Sequence, residues 1–288
     1  MIPDLPHIDH NQWIICKNNS DFRPITFEWY KFIGQLSASI ANIKFHSPVI
    51  KIINNVNYSI MIGLLNRCSR LMLSNIALSH KGKFGETTAI IDRCIFESAI
   101  KLRWLIKKDN EKAFKFFLAK GLITEVVLKE KIQSNIDNRE GKILPIENRM
   151  IDSANKHIRL SGLDEQEIKA NNNKLPNLSS MIDELEESEF LYIAGQRIGS
   201  HHVHGNWPSL LFHYLEEDEE QGLKPRGHNC EPQIDLYLFI SFIIIMTLEQ
   251  YTTYIIRSEH TKGFLLTLSS VRGELIKIYE EIVEDDFK

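Results

Sequence analysis

Apolar residues recur at helical spacing along nearly the whole chain, and two-residue alternation is scarce, so helices packed on helices are the architecture open to it. The first such segment spans 26–46, with Thr26 as N-cap and Trp29, Phe32, Ile33 and Leu36 on one stripe. A longer helix is expected after Pro48, closing at Gly82. In the next, Ile91, Ile95, Phe96, Ala99, Leu102 and Leu105 form a stripe, and Lys107 and Lys108 supply cations where the helix dipole favours them. Segments 110–136 and 146–160 read as two more helices, and the Asn-rich stretch 161–180 as a loop holding one short helix. The acidic run Leu215 to Glu220 reads as a solvated loop, and Trp104, Phe116, Phe117 and Trp207 as core aromatics. The expectation is one all-α domain over 1–288, a helical bundle with its core at 49–258 and the helices 26–46 and 260–285 packed on it.

The most apolar run, Leu236 to Leu248, is bounded by Asp235 and Glu249. Its span as a helix is about 20 Å, short of the roughly 20 residues a membrane crossing needs. Extension would place Glu249 and Gln250 in hydrocarbon, where each is costly without a partner. The run is therefore read as a buried core helix, with no membrane partner. Cys16, Cys68, Cys94 and Cys230 are far apart and none lies in a C-x-x-C pair, and the first residues lack the pattern of a secretory leader, so a reducing, cytoplasmic setting is expected. A formal charge of -4 gives no general attraction for nucleic acid; polyanion binding has to come from a local cationic patch.

One stretch concentrates chemistry. Residues 195–206, GQRIGSHHVHGN, hold Arg197, His201, His202 and His204. On a helix, successive residues lie about 100° apart, which puts Arg197, His201 and His204 on one side and His202 about 140° from Arg197. Gly195 and Gly199 weaken a helix but let another approach closely. An imidazole can pass a proton to or from a ribose or leaving oxygen at neutral pH, and a guanidinium fork can stabilise charge on phosphorus. Such a pair cleaves RNA without metal or cofactor. Two other readings remain open: a structural or binding role, and zinc held by some of His201, His204, His213, His228 and Cys230, although these lack a recognised zinc spacing.

The arginine, followed after four residues by His202 or after six by His204, resembles the signature of the HEPN superfamily of small all-helical domains, many of them metal-independent ribonucleases of toxin and antiphage systems. The sequence also resembles a bacterial family of helical proteins in which an Arg-x-x-x-Glu helix precedes a Ser-x-x-x-His-Gly segment; Arg93 and Glu97 match the first motif, and Ser200, His204 and Gly205 the second. The resemblance implies that Arg197 stabilises the phosphate, that His204, or else His202, is the general acid or base, and that Arg93, Glu97, Ser200 and His201 support the site. It further implies an RNA or nucleotide substrate, a homodimer meeting near 190–207, and a neutralising or regulatory partner protein. The rival reading is a non-catalytic helical module that binds a nucleotide or a partner protein.

Overall fold

A computed structural model describes residues 3–79, 82–188, 191, 193, 195, 199–220, 222–227 and 230–286. The fold is all-α. It divides into two compact units, one formed by Met1–Ile106 with Met181–Lys288 and the other by Lys107–Ser180.

The first unit opens with α1 (His10–Asn18), which the apolar pattern did not show because its start is set by polar capping. Asp9 accepts from the Gln12 amide, and the Gln12 side chain accepts in return from the Asp9 amide. Helix α2 (Arg23–Ala41) begins three residues before the expected cap, because Pro24 suits a first turn whose amides lack partners anyway. Thr26 is instead buried inside it. Helix α3 (Asn55–Leu78), by contrast, starts later than expected. Asn54 caps it by accepting from the amides of Val56 and Asn57 at 2.8 and 3.2 Å. The residues ahead of it are drawn into a short bridge, with Lys51 donating to the Ile255 carbonyl and Arg257 to that of Val49, each at 2.9 Å.

Helix α2 packs along α3 at close range: the Ser69 hydroxyl donates to the Gly34 carbonyl at 2.7 Å, and a Cβ on Gly34 would sit 3.2 Å from that of Met72. Helix α4 (Gly85–Lys108) buries Ile95, Phe96, Ala99, Leu102 and Leu105, most of the stripe read from sequence. Helix α8 (Leu178–Glu184) leads into the histidine segment. Beyond that come α9 (Gly199–His204), α10 (Trp207–Ser209) and a π-helical turn, Leu210–Tyr214. The acidic run is not a loop: β1 (Leu215–Asp218) pairs antiparallel with β2 (Gly222–Pro225), Leu215 opposite Pro225. Trp207, expected in the core, is 57% exposed.

Helix α11 (Ile234–Ile255) is 22 residues long, enough by length and composition to cross a membrane, yet 56% of its apolar window is buried inside the protein, against α2 and α12 (Ser258–Asp286). The polar residues that would be costly in hydrocarbon have protein partners: Glu249 pairs with Arg272, and Gln250 accepts from Arg103 Nε and donates to the Arg103 carbonyl, both at 3.2 Å. A polar knot joins four helices. Tyr30 and Asn75 donate to Asp92 Oδ1 at 3.1 and 2.7 Å, and the Tyr237 hydroxyl meets Ser79. Burial pushes the Asp92 carboxyl up to about 7 against the pull of those hydrogen bonds.

The second unit holds α5 (Glu111–Asp137), α6 (Pro145–Ser161) and α7 (Glu165–Asn171), the short helix expected in the Asn-rich stretch. Val126, Ile158 and Ile168 form its core, and ion pairs from Lys115 to Glu167 and Lys129 to Glu165 tie α5 to α7.

Candidate functional site

Helix α4 carries Arg93, Glu97 and Lys101 at four-residue intervals, so the three side chains stack on one face. Glu97 lies between the two cations, 2.5 Å from Arg93 Nη1 and in contact with Lys101 Nζ. Burial pushes the Glu97 carboxyl up, but hydrogen bonds and charges from Lys101 and Arg93 outweigh it and hold the group below the usual carboxylate range. Arg93 then reaches away from its own helix: its Nε points to the Ser200 hydroxyl on α9 at 3.5 Å. Two motifs matched separately in the sequence thus meet in space.

Gly195 lies directly against α4. A Cβ there would be 2.4 Å from the Phe96 ring, so only glycine fits this approach. The close approach read into Gly195 and Gly199 is therefore used, at Gly195, by a helix of the same chain.

Arg197 lies outside the described residues, as does His228. Of the helix expected over 190–205, the six residues Gly199–His204 form α9, which stops where Gly205 takes a φ of 59°. His204 is exposed on it. His201 Nδ1 lies 3.3 Å from Asn206 Nδ2. His202 faces inward, its Nδ1 3.0 Å from His213 Nε2 and 3.4 Å from the Ser209 hydroxyl. Burial first, and the neighbouring His201 second, push the His202 imidazole down. His213 is 4% exposed, and burial, aided by His202, pushes it down to about 4 despite Glu86 nearby. Two of the three clustered histidines thus have different environments: His204 is open to solvent, and the half-buried His202 is paired with the buried His213.

Glu86 had no signal in the sequence, being one acid in the first turn of a helix. The structure brings it beside His213 and Cys230, one ligand atom of each within 4.8 Å of the others. The approach is built by backbone: the Gly85 amide donates to the Cys230 carbonyl at 2.8 Å, and the Cys230 amide to Glu86 at 3.2 Å. His213 and Cys230 were among the zinc candidates by type; His201 and His204 are not part of this group.

No curated protein and no solved structure matches the chain. The model of a family of unknown function (DUF5677) matches residues 58–223, more than half the chain and the whole stretch from Arg93 through the histidine helix, and the chain belongs to that family.

Proposed function

We propose that this protein is a HEPN-like endoribonuclease whose chemistry needs no metal ion. The observation that carries the reading is the contact of Arg93 with Ser200, which places a guanidinium beside the first turn of the helix bearing His204. A fixed cation and an exposed imidazole on adjoining elements are the two groups that phosphodiester transesterification asks for. Arg197 stabilises the charge on phosphorus, Arg93 extends the cationic pocket around it, and His204 exchanges the proton. Glu97 holds Arg93 in place, and Ser200 and His201 line the approach. His202, engaged with His213, is a support for the helix; this favours His204 as the proton carrier.

Exposed apolar side chains at Ile193, Val203, Trp207, Phe212 and Tyr214 accompany the histidines, and they support a homodimer in which two such sites share one cleft. A toxin or antiphage setting with a neutralising partner protein fits this activity.

The test is cleavage of a mixed-sequence RNA by the full chain with no divalent cation added. Cleavage is expected, and Arg197→Ala and His204→Ala each abolish it while keeping the helical circular dichroism. Their losses should be strongly non-additive, since both groups act in one transition state. Full activity in His204→Ala with loss in His202→Ala would overturn the assignment of the proton carrier. Absence of cleavage in any fraction would sink the nuclease reading and favour the binding module.

A further inference from the structure

We infer that Glu86, His213 and Cys230 form a binding site for one divalent ion of the zinc class, with His202 as its outer support. The donor set is the first reason. Imidazole, thiolate and carboxylate are the ligand types zinc takes, and one thiolate plus one carboxylate neutralise the charge of a divalent ion. Zinc bonds of about 2.0–2.3 Å bring tetrahedral donors to about 3.5 Å from one another. Atoms already within 4.8 Å thus need to close by about 1 Å, within reach of the half-buried Glu86 side chain.

His213 provides the second, independent reason. Among the described residues its Nδ1 is a buried side-chain nitrogen without a hydrogen-bond partner, on a residue 4% exposed. A polar atom left so is costly, and a bound cation removes that cost. The ring's other nitrogen, Nε2, is held 3.0 Å from His202 Nδ1. That is the usual state of a metal-binding histidine: one nitrogen for the ion, the other fixed by a hydrogen bond that sets the ring's orientation.

The three donors come from the first turn of α4, the π-helical turn and the segment before α11, so an ion would bind these together. Through His213 it would also brace His202 and the helix that carries His204. Three protein ligands leave one position for water. The site stands whether or not the chain cleaves RNA.

Cobalt(II) titrated into the metal-free full chain tests this by absorption, with no reference to activity. One equivalent is expected, giving the visible bands of tetrahedral cobalt and a thiolate-to-cobalt charge-transfer band, both erased by zinc. Cys230→Ser should remove the charge-transfer band, whereas Cys94→Ser, the other partly exposed cysteine, should keep it. His202→Ala should keep the band and weaken binding about 10- to 100-fold, as loss of an outer partner does. His213→Asn serves where His213→Ala fails to fold, and should bind no cobalt. Absence of saturable binding, or a charge-transfer band unchanged in Cys230→Ser, overturns the site. Unchanged affinity in His202→Ala overturns the support assigned to His202.

Discussion

Arg93 Nε lies 3.5 Å from the hydroxyl of Ser200, a residue 107 positions later in the chain. The same guanidinium is anchored by Glu97 on its own helix. A group held on two sides delivers its charge in a defined direction, which a flexible surface arginine does not.

Arg93→Ala should therefore lower RNA cleavage by about a hundredfold, the order expected for one preorganised donor. Loss of the partly exposed ion pair should cost under about 1 kcal/mol of stability. Arg93→Lys keeps a charge for Glu97 but not the reach of Nε, and should fall between the two. Single-turnover cleavage rates beside urea melts separate these effects; wild-type rates in Arg93→Ala would remove Arg93 from the site.

Gly195→Ala places a methyl group 2.4 Å from the Phe96 ring, which is itself stacked on Phe239 at 5.8 Å. Overpacking of this kind costs about 1–3 kcal/mol. Phe96→Leu in the same chain should recover part of it, although each change alone destabilises. A double-mutant cycle in urea reads the coupling, and simple additivity would mean that the two residues do not touch.

Asp92 sets a pH dependence. Its carboxyl ionises near 3.8 in the unfolded chain and near 7 in the folded one. Below the lower value both states hold the proton, and the contribution to stability is whole. As pH rises between the two values the unfolded chain loses its proton first, and stability falls by up to about 1.4 kcal/mol per pH unit. Above the folded value this group adds no further change. Asp92→Asn should flatten the slope of unfolding free energy between pH 4 and 7; an unaltered slope would place the titration elsewhere.

At Gly85 a Cβ would lie 2.1 Å from the Glu231 carbonyl oxygen, and backbone cannot swing aside as a side-chain tip can. Gly85→Ala should detach the segment at Cys230 from the first turn of α4. The expected signs are faster hydrogen exchange at the Gly85 and Cys230 amides and weaker cobalt binding, with the remainder of α4 still protected. Protection equal to wild type at both amides would show that the segment is held by other contacts.

The helical bundle was legible in the sequence because a 3.6-residue period is a property of the backbone, and α4, α5 and α11 display it without reference to anything distant. The pairing of Arg93 with Glu97 was legible for the same reason, one helical turn being a local distance. Element starts were less so: at Pro24 and Asn54 local backbone chemistry overrode the apolar pattern, and Asp9 nucleated a helix with little pattern at all. The hairpin at Leu215–Asp218 was hidden because its partner strand, not its own composition, makes it a strand.

What the chain alone determined is thus which stretches are helical and which residue types are dense at 195–206. Only the tertiary structure decided that Arg93 meets Ser200, that His202 turns from solvent toward His213, and that Glu86 and Cys230 close on the same imidazole. No spacing rule joins positions 86, 202, 213 and 230. They meet because α4 accepts a glycine and a backbone carbonyl at distances no other side chain permits, and that is a matter of packing between segments far apart in the chain.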